Sequence, residues 1–196
     1  MHNFKANYDK ILEVLKSLDL ESENFLFQIR KPRLSDLEIV ALNLTSEYMS
    51  IDSEYQLFRI LPSDIKSLIE RSVYNRRKRR LFIHMERIRK LLAEKFNGSE
   101  KYFIVDSMPL EVCKLSRSSR SKICRETDYA IPNKGYCASQ KMHYYGYKLH
   151  AVCSAEGVFQ SLDISPASVH DIHYLKDIKQ QFKNCTLLAD KGYLSA

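Results

Sequence analysis

Apolar residues recur at helical spacing through the first half of the chain and gather into short runs in the second. In NYDKILEVLKSLDL, Ile11, Leu12, Val14, Leu15, Leu18 and Leu20 share one face and predict an amphipathic helix. Pro32 interrupts the pattern. Ser35 followed three residues later by Glu38 is a capping-box signature, and Leu37, Val40, Ala41, Leu44 and Tyr48 then line a second helical face. PSDIKSLIERSVY, entered at Pro62 and Ser63, predicts a third helix. RRLFIHMERIRKLLAEKF predicts a fourth, ended by Asn97-Gly98.

Beyond Gly98 the period changes. Tyr102–Val105 is a short aromatic and β-branched run that reads as a buried strand. LSRSSRSKICRETDYAIPNKGYCASQK has no periodicity and predicts a long loop, a kind of segment that is usually functional or mobile. Lys148–Cys153 and Val158–Ile164 predict a hairpin turning at Ala155-Glu156-Gly157. Val169, Ile172, Leu175, Ile178 and Phe182 then predict a helix with Ser168 as its cap, and TLLA before Asp190 predicts a last strand. The order β, loop, β, β, α, β implies a mixed sheet flanked by helices. The fold class expected is therefore α/β, with a helical region over 1–97 followed by a mixed sheet over 98–196.

The chain of 196 residues has no run of 18 apolar residues and no signal-peptide pattern at its start, so a cytoplasmic protein without a membrane span is expected. Five cysteines, an odd number with no C-x-x-C pair, suit a reducing compartment and do not make a zinc-ligand spacing. The net charge of +7 is unevenly placed: −4 over residues 1–70, +12 over 71–150 and −1 over 151–196. A field so concentrated attracts polyanions, and nucleic acid is the obvious one.

Two acids carry the candidate chemistry. Asp106 follows YFIV and Asp190 follows TLLA, so each carboxylate is reached at the end of an apolar run. A lone aspartate there is as readily a turn former or a helix cap. Two of them on neighbouring strands would repel unless a cation sat between them, and magnesium suits such a hard-oxygen pair. The five consecutive cations Arg76, Arg77, Lys78, Arg79 and Arg80 read as the start of a helix. The macrodipole disfavours positive charge there, which points to an external anion, with a merely solvated helix start as the plainer reading. Arg117, Arg120 and Lys122 in the serine- and arginine-rich loop are further candidates for phosphate oxygens. KMHYYGYKLH, residues 141–150, reads either as a stacking and phosphate-contacting segment or as a strand with aromatic cross-strand pairs. Asp171 reads as a helix cap, and His170 beside it offers little.

YFIVDSMPLEVCK, GYKLHAV, SPASVHD and LLADKGY, in that order, resemble the catalytic core of bacterial insertion-sequence transposases of the DDE type. RLSDLEIVALNLTSEYMSIDSE and YNRRKRRLF resemble most closely the insertion-sequence family numbered nine hundred and eighty-two. The resemblance implies an RNase H-like fold in which two aspartates and a glutamate hold two divalent metals, Mg2+ or Mn2+. These activate the nucleophile and stabilise the leaving oxygen at a DNA phosphodiester. By position, Asp106 is the first acid and Asp190 the second, on neighbouring strands. The partners implied are the terminal inverted repeats of the element's DNA and, for an intact protein, further copies of itself. The family's glutamate lies well beyond the second aspartate, whereas only KGYLSA follows Asp190. The expectation is thus a C-terminally truncated transposase with an incomplete RNase H-like sheet, broken by mutation or completed by frameshifting and inactive by itself. The alternative is a non-catalytic DNA-binding fragment.

Overall fold

The computed structural model describes residues 3–97 and 101–193, in two compact units, Met1–Leu92 and Ala93–Ala196. The first unit is helical. Helix α1 (Phe4–Lys16) is capped by Asn3, whose side chain accepts from the Ala6 amide. Its buried positions are Phe4, Tyr8 and Leu15, so the apolar stripe begins about two turns earlier than expected. Helix α2 (Asp36–Tyr48) carries the anticipated capping box. The Glu38 amide donates to Ser35 Oγ at 3.1 Å, and the Ser35 amide donates to Glu38 Oε2 at 2.6 Å. Its burial is not confined to one face: Leu37, Ile39, Val40, Ala41, Leu42, Asn43, Thr45 and Ser46 are all enclosed. Tyr48, expected in the core, is exposed. A helix packed on several sides has no polar face to betray its orientation, which is why its sequence pattern misled.

The third predicted helix is two. A single turn, α4 (Ser63–Lys66), follows the short α3 (Glu54–Ile60), and α5 (Arg71–Arg80) starts afresh after Glu70. The chain turns at Leu81, the C-cap of α5, before α6 (Phe82–Phe96). The five cations therefore end α5 instead of opening a helix. At a C-terminus the macrodipole favours positive charge, so these cations need no external anion to offset it. Arg77 is the further correction. It is buried, and its guanidinium donates to Asp36 Oδ1 from Nη2 at 2.6 Å and from Nε at 3.2 Å, and to the Leu34 carbonyl from Nη1 at 2.9 Å. Asp36, fully buried, also accepts the Phe25 and Leu26 amides on Oδ2. This pair ties α5 to the start of α2 inside the unit's core.

The second unit is a five-stranded mixed sheet. Strand β1 (Tyr102–Cys113) is far longer than its apolar start. Phe103 and Val105 are buried while Tyr102, Ile104 and Asp106 are exposed, so the run alternates instead of being enclosed on both faces. Strand β3 (Met142–Ser154) pairs antiparallel with β1 along nearly its whole length. The other edge of β3 is shared end to end by β2 (Asn133–Cys137) and β4 (Phe159–Pro166). β2 lies inside the segment expected to be a loop. Its NKGYC sequence has no apolar alternation and pairs only because β3 offers an edge. The hairpin turn is where it was expected, with the Gly157 amide on the Ser154 carbonyl and Gly157 at φ 89°, a conformation natural to glycine. KMHYYGYKLH is strand, and Tyr136 and His143 pair across β2 and β3 with ring centroids 4.9 Å apart.

Helix α7 (Ile172–Gln181) crosses from β4 to β5 (Thr186–Ala189), which runs parallel to β1. Tyr174 and Ile178 of α7 pack with Phe103, Val105, Val152 and Tyr193 to form the core of the unit. Ser168 does not cap α7. It exchanges hydrogen bonds with Asn133 of β2, its amide donating to Oδ1 and its Oγ accepting from Nδ2, each at 2.8 Å. Among the described residues no helix is long and apolar enough to cross a membrane.

Candidate active site

Strand register creates the site. β1 and β5 are hydrogen-bonded neighbours with Val105 opposite Ala189. The next residue on each strand is an aspartate, so Asp106 and Asp190 leave adjacent strands side by side, with backbones separated by roughly the 4.8 Å of strand pairing. Asp190 stands where β5 ends. Asp106 does not: β1 continues through it, and the residue pairs with Ala151 of β3. It marks the point where β1 loses β5 as a partner, not the end of a strand.

Both carboxylates are exposed, and each uses Oδ1 locally. Asp106 Oδ1 accepts the Ser107 amide at 2.7 Å, and Asp190 Oδ1 accepts the Gly192 amide at 2.9 Å. Gly192 leaves room between acids. A Cβ there would stand 3.0 Å from Asp190 Oδ1 and 3.2 Å from Asp171 Oδ2, closer than side chains ordinarily approach. The same two distances place the Asp171 and Asp190 carboxylates on either side of one small space.

Asp171 was expected to cap α7. It occupies the cap position but makes no capping hydrogen bond with its side chain. Its Oδ1 instead accepts from Ser107 Oγ at 3.2 Å and from Lys148 Nζ at 3.0 Å. The ammonium also donates to the Val169 carbonyl at 2.9 Å. A cavity of about 900 Å3 is lined by Asp106, Ser107, Lys148, Asp171, Asp190 and Gly192, among others. Next to Gly192, the Tyr193 hydroxyl lies 3.5 Å from His150 Nδ1. Burial, and then the negative charges of Asp171, Asp106 and Asp190, push the Tyr193 phenol well above its ordinary range. His150, stacked on Tyr174 and bonded through Nε2 to Ser165 Oγ at 2.8 Å, is driven by burial toward its neutral form. At the rim, the Ser139 hydroxyl holds the Cys137 thiol below its usual pKa.

The other candidates fall elsewhere in the chain. Arg76, Arg79 and Arg80 are exposed near the end of α5, while Lys78 is partly covered and pairs with Glu54 at 3.5 Å. Arg117, Arg120 and Lys122 line one open cleft of about 500 Å3 with Cys113 and Ser121. Ser107, Lys148, Asp171 and Tyr193 were not singled out from the sequence as site residues. The sequence HD at a helix start carries no mark separating a cap from a cavity acid, and Lys148 lay unmarked within KMHYYGYKLH, the segment that reads either as phosphate-contacting or as an aromatic strand.

A mixed α/β unit with paired carboxylates at the edge of its parallel strands is compatible with an RNase H-like DDE domain. Residues 97–196 match the family described as the transposase DDE domain, and the chain belongs to that family. No curated protein and no solved structure gave a match. The family carries out DNA cleavage and transfer of the transposase type and generally uses divalent metals such as Mg2+. The donor chemistry here fits such an ion in part: hard carboxylate oxygens from two adjacent strands, with no side chain on Gly192 to fill the gap beside them. Among the described residues no cluster of three or more ligands closes around a metal position.

Proposed function

We propose that the chain is a transposase of an insertion sequence, of the family numbered nine hundred and eighty-two, in which Asp106 and Asp190 hold Mg2+ or Mn2+ against a DNA phosphodiester. The observation that carries this is the Val105–Ala189 register, which sets two carboxylates on neighbouring strands at a cavity mouth. When bound, the metal would polarise the phosphodiester and lower the pKa of the attacking hydroxyl or water. The chain's own residues do the rest. Asp106 and Asp190 fix their ligand oxygens through the Ser107 and Gly192 amides, and Gly192 keeps the space open.

DNA is bound by exposed cations. Arg76, Arg79 and Arg80 serve in the first unit, joined by the partly covered Lys78, and Arg117, Arg120 and Lys122 serve in the cleft of the second. Arg77 is not among them, being engaged with Asp36. The terminal inverted repeats of the element are the substrate, and copies of the protein assemble on them.

Among the described residues that line the cavity, the carboxylates are Asp106, Asp171 and Asp190, with no glutamate. This favours a second reading, DNA binding with little cleavage by this chain alone. One experiment separates the two. Mn2+ binding to the purified chain is followed by electron paramagnetic resonance, and nicking of a DNA duplex is followed in the same buffer. Wild type is expected to bind Mn2+, and Asp106→Asn and Asp190→Asn to weaken that binding by at least tenfold. Nicking abolished by either variant supports the enzyme, Mn2+ binding without nicking supports the binding module, and no Mn2+ binding at all refutes the metal site.

A further inference from the structure

We propose that Lys148 is the phosphate-contacting cation of the Asp106–Asp190 cavity, seated there by Asp171 and the Val169 carbonyl. The inference rests on the reading of that cavity as a DNA-processing site. An ammonium has three donors. Two are accounted for, at 3.0 Å to Asp171 Oδ1 and 2.9 Å to the Val169 carbonyl. The third is left for a ligand oxygen, and Lys148 lines the cavity.

Its setting differs from that of the surface cations. Only 16% of its side chain is exposed, against 19% for Asp171, so the pair is shielded and its position defined from two sides. It lies on β3 opposite Pro109 of β1, on the sheet face that carries Ser107 and His150. Asp171 is fixed in turn by Ser107 Oγ. The chain from Ser107 through Asp171 to Lys148 therefore links the strand that bears Asp106 to the ammonium.

Electrostatics gives the reason for a cation here. Three carboxylates, Asp106, Asp171 and Asp190, border the cavity, and the basic side chains on its lining are Lys148 and Lys191. A phosphodiester entering such a space meets net negative charge. Lys191 is exposed on the short turn after β5, whereas Lys148 is held. A fixed ammonium on the lining of the cavity that Asp106 and Asp190 share offers a non-bridging phosphate oxygen a partner that needs no reorganisation.

The test compares the full-length protein with Lys148→Met, which keeps the aliphatic stem, and Lys148→Arg, which keeps the charge. Mn2+ binding is measured as above, and duplex DNA binding by fluorescence anisotropy across a series of KCl concentrations in Ca2+. Lys148→Met is expected to bind Mn2+ like wild type. It should bind DNA about tenfold more weakly at 0.1 M salt, with a salt slope shallower by about 1, the signature of one lost phosphate contact. Lys148→Arg should keep the wild-type slope. If Lys148→Met keeps the wild-type slope and affinity, or if it only lowers the melting temperature, the proposal is overturned. Should wild type fail to bind Mn2+, the metal reading falls while the slope comparison still decides the role of Lys148.

Discussion

Arg77→Met should cost the first unit about 3–5 kcal/mol, the penalty for leaving a buried charge without its partner. Asp36 is fully buried, and its Oδ1 takes both guanidinium contacts, at 2.6 and 3.2 Å. Methionine spans the same stem and keeps most of the packing, so the loss is electrostatic and not a cavity. The Phe25 and Leu26 amides at 2.9 and 2.8 Å remain on Oδ2, but two neutral donors do not replace a cation. The Leu34 carbonyl loses its partner as well. In a domain of this size, a loss of 3 kcal/mol lowers Tm by roughly 12–24 °C. Circular dichroism at 222 nm during urea and thermal denaturation reports it, because most of the helix belongs to this unit. Asp36→Asn in the Arg77→Met background should recover part of the loss, since the asparagine carbonyl still accepts the two amides without carrying a charge. A loss below about 1 kcal/mol for Arg77→Met would refute the reasoning and return Arg77 to the pool of surface cations.

The exposed cations should behave in the opposite way. Arg76, Arg79 and Arg80 changed together to Ala should leave denaturation within about 0.5 kcal/mol of wild type. If each contacts a phosphate, the slope of DNA affinity against salt should fall by about 2–3, and an unchanged slope would mean a solvated helix end. His150 supplies a pH test. Its folded pKa is depressed below the ordinary 6.5, chiefly by burial, with Lys148 adding to the effect against Asp171 and Asp163. The unfolded chain therefore takes up the proton first. The stability contribution is complete above pH 6.5 and is lost as pH falls through the folded pKa, with a slope of at most about 1.4 kcal/mol per pH unit. His150→Asn should flatten that dependence in the transition of the second unit, and a profile equal to wild type would count against it.

Local physics was legible along the chain. The Ser35–Glu38 capping box and the Gly157 turn depend on neighbours within a few residues, and each appears where its pattern placed it, while the stripe of α7 keeps Ile178 but adds the buried Tyr174. The two candidate acids were visible for a similar reason: an apolar run ending in a carboxylate is a local anomaly. What the sequence could not show were matters of partnership at long range. Arg77 reads like Arg76 and Arg79 until Asp36, forty-one residues earlier, is found against it. Asp171 reads as a cap until β1 and β3 bring Ser107 and Lys148 to it, across separations of 64 and 23 residues. β2 has no pattern of its own and exists because β3 presents an edge. Residue type and spacing determined which groups were available for chemistry. Strand register and burial decided which of them meet, because a charge acts through what surrounds it and those surroundings are assembled only by the tertiary fold.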